Sequence, residues 1–181
     1  MKILVVVDMQ NDFIDGSLGT GEAQVIVPRV AEKIKSAVGE KEIIFTMDTH
    51  GADYLETQEG RILPVPHCVQ GSAGWQIREQ LTAPLAAAGV KPKTLAKGAF
   101  GSTELVPLLT GMHEKTPLEE IELVGLCTDI CVISNALILK AFLPEVPIAV
   151  DASCCAGVTP QSHENALNAM QMCQIEIRGR D

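Results

Sequence analysis

The chain has 181 residues, 46% of them hydrophobic and only 3% aromatic, with 23 acidic against 14 basic residues and a formal charge of −9. That length suits one well-filled core, a single domain over residues 1–181, and is too short for two ordinary domains. The acidic balance repels phosphate backbones and anionic lipid, which excludes nucleic acid as an expected partner, and no apolar run approaches the roughly 20 residues of a membrane span.

The opening MKILVVVDMQ has a short apolar run that ends on Asp8 instead of a small-residue cleavage site, so it reads as a strand over 3–7 and not as a signal peptide. A helix over 23–38, a strand over 42–47 and an irregular stretch over 49–74 follow. Then come a helix over 76–88, a strand over 94–96, a helix over 103–110, a strand over 121–126 and a helix over 129–142 with Thr128 as its N-cap. The pattern closes with a strand over 148–150, a helix over 160–172 and a strand over 175–177. Strand runs built from Val, Ile, Leu and Ala are those of a sheet buried on both faces. Their regular alternation with helices predicts an α/β three-layer sandwich: a central, mostly parallel sheet of about six strands, with helices on both faces. Long irregular stretches such as 49–74 are usually functional. Six cysteines without a secretion signal, two of them adjacent (Cys154 and Cys155), predict free thiols in a reducing cytoplasm.

Open α/β sheets bind ligands at the carboxyl ends of their strands. Four of those ends carry reactive side chains: Asp8, the pair Asp48 and His50, Lys97, and the run Cys127, Thr128, Asp129 and Cys131. Cys131 stands near the third position of its helix, where free N–H groups and the dipole favour a thiolate, and this makes it the candidate nucleophile. The backbone N–H groups of Cys131 and Cys127 are candidate donors to an oxyanion. Asp8 ends an apolar strand and needs a cation, for which Lys97 is the candidate; the carboxylate would accept the thiol proton and later deliver it to a leaving amine. Asp48 and His50 point the same way from a strand end. With His67 and an acid from the loop, Glu59 or Glu56, they make a candidate site for a divalent ion, zinc first and iron or manganese next. His113 and His163 read as solvated. Other motifs fail: His67-Cys68 lacks the arginine of a phosphatase loop, residues 16–21 lack the order of a dinucleotide loop, and Cys127-x-x-x-Cys131 is not a C-x-x-C redox pair.

Three segments then meet a family. Val7-Asp8-Met9-Gln10-Asn11-Asp12-Phe13, Lys97-Gly98-Ala99-Phe100 and Val124-Gly125-Leu126-Cys127-Thr128-Asp129-Ile130-Cys131-Val132 resemble, in order and over nearly the whole chain, the motifs of the isochorismatase-like cysteine hydrolases, nicotinamidase branch. The resemblance implies Asp8 as acid/base, Lys97 as the catalytic lysine and Cys131 as nucleophile. It also implies a cis Leu126–Cys127 peptide, an oxyanion hole from the amides of Cys127 and Cys131, and substrate contacts from Phe13 and Gln10. The divalent ion falls on Asp48, His50 and His67, with Glu59 the first choice of further ligand and Glu56 the second. Isochorismatases proper lack the cysteine, so Cys131 implies hydrolysis of a small amide through a thioester, with nicotinamide to nicotinate and ammonia as the leading reaction and a homo-oligomer as the expected assembly. Many family members stack a tryptophan on the pyridine ring three residues before the last histidine, where this chain has Pro64; Trp75 lies beyond His67, and another loop histidine is absent. The competing readings are an amidase acting on a ureido or carbamoyl compound and a non-catalytic binding or redox protein with the same fold.

Overall fold

Aliphatic side chains on both faces of a strand are stable only if both faces are covered, and that requirement shapes the chain. In the computed structural model, which describes residues 1–180, the strands are β1 (Lys2–Val7), β2 (Glu42–Asp48), β3 (Lys93–Lys97), β4 (Glu120–Leu126), β5 (Ile148–Ala156) and β6 (Glu176–Arg178). Asp181, the last residue of the expected domain, lies outside the described residues. The sheet runs β3-β2-β1-β4-β5-β6 with every pairing parallel.

The helices are α1 (Asn11–Ile14), α2 (Gly21–Ala37), α3 (Gln58–Ile62), α4 (Glu79–Ala87), α5 (Leu105–Lys115), α6 (Ile133–Phe142) and α7 (Pro160–Met172). Alternate residues of β1 serve different layers. Ile3, Val5 and Val7 pack with Leu105, Leu109, Val132, Leu139, Leu167 and Met170, the faces of α5, α6 and α7 and the turn leading into α6. Leu4 and Val6 pack with Phe13, Ile26, Val30, Ile34, Leu81 and Leu85, the faces of α1, α2 and α4. This is the expected three-layer sandwich. Local chemistry starts the helices: the Thr20 hydroxyl accepts from the Ala23 N–H, and Thr159 with Ser162 forms a capping box ahead of Pro160. No helix of the structure is long and apolar enough to cross a membrane among the described residues.

Several local expectations change. β5 continues to Ala156, past a register shift against β4; Asp151 and Ser153 interrupt the apolar run there, so the sequence marks only 148–150. Thr128 does not cap a helix over 129–142. The chain enters α6 through a wide turn, Thr128–Val132, in which the Val132 N–H reaches back five residues to the Cys127 carbonyl, and the Thr128 hydroxyl pairs with His163 Nδ1 at 2.8 Å. His163 is therefore not simply solvated, and neither is His113, whose Nδ1 accepts from the Leu118 N–H at 3.0 Å. The irregular stretch also holds two short helical pieces, Tyr54–Glu56 and α3, folded over the buried Tyr54.

One acid sits inside the sheet. Glu122 of β4 is 2% exposed, with Lys41 Nζ at 2.6 Å, Lys33 Nζ at 2.9 Å and Arg178 at 3.8 Å. The three cations have other acids, Asp151, Glu120 and Glu176, so Glu122→Ala leaves them only partly uncompensated. We expect a loss of about 2 kcal/mol in urea unfolding, below the usual 3–5 for a broken buried pair because the lysines are partly hydrated. Glu119→Ala, at an exposed pair with the N-terminus, should cost nothing measurable. Equal midpoints for the two variants would refute the assignment. Burial favours the neutral form of Asp151, but the Lys33 ammonium and the Ser153 hydroxyl outweigh it and hold the carboxyl below its ordinary value. A carboxyl lowered on folding stabilises above its unfolded pKa and loses that contribution as pH falls through the folded value, so this network weakens only in strong acid.

Candidate active site and metal centre

The strand order reverses between β1 and β4, and the crevice at that switch point is where the reactive side chains meet. Asp8 follows β1 directly, in a left-handed backbone conformation with φ 47°, which aspartate tolerates better than most residues. It is 1% exposed. Its Oδ1 accepts from the Thr46 hydroxyl at 2.6 Å, and its Oδ2 lies 2.7 Å from Lys97 Nζ but has no aligned hydrogen-bond donor in the protein. That leaves a buried lone pair available to a proton. Lys97 closes β3 opposite Asp48 of β2, and its ammonium stands 3.2 Å from Asp48 Oδ1 and 3.5 Å from Cys131 Sγ. The three expected catalytic side chains are thus brought together around one buried ammonium.

Cys131 follows a cis Leu126–Cys127 peptide, the bond expected to be cis. The Cys127 carbonyl accepts from the N–H groups of Ile130 and Val132, on either side of that of Cys131. The expectation that the helix start favours a thiolate gives way to burial. Desolvation and the Asp8 carboxylate push the Cys131 thiol well above its ordinary value, against the pull of Lys97, and burial raises Cys127 to about 12. Both influences favour the thiol over the thiolate. Burial also raises the Asp8 carboxyl, with Lys97 opposing, while Lys97 itself stays protonated because Asp8, Cys131 and Asp48 outweigh its desolvation. A neutral thiol beside a carboxylate whose proton affinity is raised is an arrangement for proton transfer.

Asp48, His50 and His67 are all buried, and one ligand atom from each lies within 4.8 Å of the others. His50 Nε2 is 2.9 Å and His67 Nε2 3.5 Å from Asp48 Oδ2, and Glu59 Oε1 is 3.7 Å from both imidazole nitrogens. His67 Nδ1 donates to the Val65 carbonyl at 2.8 Å, which turns the Nε2 lone pair toward the acids. Burial would raise the Asp48 carboxyl, but with the imidazoles protonated their N–H groups donate to it, and these bonds with the Lys97 charge hold it well below the carboxylate range; once the imidazoles lose those protons, their Nε2 lone pairs face the acids instead. Lone pairs from two imidazoles and two carboxylates converging on one point repel one another unless a cation lies between them, so this donor set fits a divalent ion of the zinc, iron or manganese type. Of the two candidate glutamates, Glu59 faces the cluster; Glu56 is exposed.

Gln10 takes a role other than the expected substrate contact. It is fully buried, its Oε1 accepts from the Asp48 N–H at 2.7 Å, and its Nε2 donates to the Asp48 and Trp75 carbonyls at 2.8 Å each. With both donors used on backbone, it clamps the end of β2 from which Asp48 and His50 project. Phe13 stays beside the site, its ring centroid 5.4 Å from that of His67. Trp75 is half-buried and donates its indole N–H to Thr49 Oγ1 at 2.9 Å, and Pro64 is exposed on the loop. Asp12 had no sequence signal beyond its motif. Its carboxylate accepts from the Cys68 N–H at 2.8 Å and so anchors the segment that carries His67.

Comparison with known proteins gives the same outline. The chain is 27% identical over 186 residues to the nicotinamidase/pyrazinamidase of Mycobacterium tuberculosis, covering 98% of each. Among solved structures it is similar to the pyrazinamidase of Pyrococcus horikoshii in complex with zinc (TM-score 0.77, 25% identity, 97% of each chain). It shares its fold with the nicotinamidase/pyrazinamidase of Bacillus subtilis (TM-score 0.85, 24% identity, 98% of each chain). The model of the isochorismatase domain matches residues 2–180, and the chain belongs to that family.

Proposed function

We propose that this chain is a metal-assisted cysteine amidohydrolase whose first substrate to test is nicotinamide. The observation that carries the reading is the Lys97 ammonium, 2.7 Å from Asp8 and 3.5 Å from the Cys131 sulfur, next to the buried Asp48, His50 and His67 cluster. In this mechanism Asp8 Oδ2 takes the proton of Cys131 Sγ, and the sulfur forms a bond to the amide carbon. The N–H groups of Cys127 and Cys131 receive the oxyanion. Asp8 then returns the proton to the nitrogen as the C–N bond breaks and ammonia leaves. Water, deprotonated by Asp8, opens the thioester and restores the thiol. Asp48, His50 and His67, with Glu59 beside them, would hold a divalent ion, which would supply Lewis-acid chemistry at this edge of the crevice. Phe13, its ring centroid 5.4 Å from that of His67, offers a ring beside that site.

Ammonia release from nicotinamide, with Cys131→Ala as the blank and zinc, iron(II) or manganese added in parallel, tests the reading. Metal-dependent release that needs Cys131 is the expected result. Full activity in Cys131→Ala would overturn the mechanism. Carbon dioxide released together with ammonia from a ureido compound, with nicotinamide inert, would replace the substrate, in keeping with Pro64 at the position where relatives stack a ring. A second expectation concerns the ion: a chelator should abolish activity, and Gln10→Ala should weaken metal retention about 10-fold by loosening the end of β2, the scale of outer-shell losses at metal sites. Unchanged metal content and affinity in Gln10→Ala would sink that role.

A further inference from the structure

Asn135 lies one helical turn beyond Cys131, on α6, and is fully buried. Its amide is used on two sides. Nδ2 donates to the Cys131 carbonyl at 2.8 Å and, more weakly, to the Phe100 carbonyl at 3.4 Å, and Oδ1 accepts from the Ser102 N–H at 2.9 Å. One side of the amide therefore holds the backbone of the nucleophile and the other holds the segment that follows Lys97. We propose that Asn135 is a positioning residue that ties the segment after Lys97 to the nucleophile turn and so fixes the Lys97 ammonium against the Cys131 sulfur.

The sheet shows why such a tie is needed. β3 is an edge strand paired only with β2, and Lys97 is its only fully buried residue, so little apolar packing pins it. The three residues after it, Gly98, Ala99 and Phe100, are exposed. In the order β3-β2-β1-β4, Lys97 must reach past two strands, each about 4.8 Å from the next, to meet a residue that follows β4. A small drift of its backbone, carried along a long flexible side chain, moves the ammonium off the sulfur. Asn135 bridges the crevice directly, between the two segments whose relative position sets that contact. A buried amide satisfied on both sides suits this purpose, because removing it strands the Ser102 N–H and frees both segments at once.

The inference rests on reading Cys131 as a nucleophile supported by Lys97, and its test does not depend on knowing the substrate. The first measurement is the rate at which iodoacetamide alkylates Cys131 at pH 8, read by peptide mass spectrometry so that the exposed Cys173 does not interfere. In Asn135→Ala the rate should fall several-fold, because the ammonium no longer favours the thiolate. Mere loosening of the packing would expose the sulfur and raise the rate. Asn135→Thr should recover most of the wild-type rate, since one hydroxyl can donate to the Cys131 carbonyl and accept from the Ser102 N–H. With nicotinamide, Asn135→Ala should lose about 10-fold in kcat with KM within about twofold, as for a group acting on the chemical step and not on substrate binding. A fall in alkylation rate in a protein that hydrolyses no nicotinamide would support the tie and fail only the substrate. An unchanged or faster rate in Asn135→Ala, with only a lower Tm, would overturn the proposal. If Asn135→Ala does not fold, Asn135→Leu fills the volume without either hydrogen bond and carries the same expectation.

Discussion

Asp8→Asn should lower amide turnover by about 10³-fold and Cys131→Ala by about 10⁴-fold or more, with both proteins folded. The order follows from what each residue does. Without the sulfur no thioester forms. Asparagine keeps the shape of Asp8 and its contact with the Thr46 hydroxyl, but it cannot take a proton from a thiol whose proton affinity burial raises. Lys97 keeps Asp48 at 3.2 Å in the Asp8→Asn variant, so its charge is not stranded and folding should survive. Because burial raises the Asp8 carboxyl, the acid limb of kcat/KM should lie above the ordinary carboxylate value of about 4, and activity should rise as pH climbs through it and Asp8 ionises. An acid limb that persists unchanged in Asp8→Asn would assign it to another group, and turnover within tenfold of wild type in that variant would remove Asp8 from the proton path.

β1, β2, β4 and the start of β5 could be read from the sequence because strands covered on both faces need aliphatic runs, whereas the edge strands β3 and β6 are short and largely uncovered and left only brief apolar signals between the helices. The reactive edge was legible for the same reason: once strand ends are placed, Asp8, Asp48, His50, Lys97 and Cys131 fall on one side of the sheet. The misreadings have particular causes. Thr128 followed by a helical pattern satisfies the rule for an N-cap, but a cap rule sees only neighbours in sequence, and here His163 of α7 competes for the hydroxyl. The dipole argument for a Cys131 thiolate is also local, and the desolvation that defeats it comes from the whole crevice. Gln10 belongs to a recognised segment, yet its attachment to the Asp48 backbone follows only once β1 lies beside β2. Asn135 did leave a signal: a lone amide one turn after the nucleophile, within the apolar run ISNALILKAF, must find partners when buried.

The largest structural effect is expected from the smallest side-chain change, Gly125→Ala. Gly125 has φ +119°, a conformation that L side chains rarely adopt, and a Cβ there would lie 2.2 Å from the Val7 carbonyl oxygen and within 3.0 Å of the Val7 backbone nitrogen and carbonyl carbon. The obstacle is backbone at the centre of the sheet, in register with Gly125 itself, so no side chain can rotate away. Backbone strain of about 1–3 kcal/mol and overpacking of similar size together predict a loss of about 2–6 kcal/mol in urea unfolding. Gly111→Ala is the control, since open space surrounds that position in α5 and alanine favours a helix there by about 1 kcal/mol. The same strain should also reach the chemistry: Val7 leads directly into Asp8, and Gly125 precedes the Leu126–Cys127 peptide, so easing β4 away from β1 separates the base from the nucleophile turn. Whatever Gly125→Ala protein folds in the cold should therefore be less active per folded molecule. A urea midpoint equal to wild type would show that β1 and β4 can part without cost, and the close approach of their ends could then no longer explain how Asp8 is held at the site.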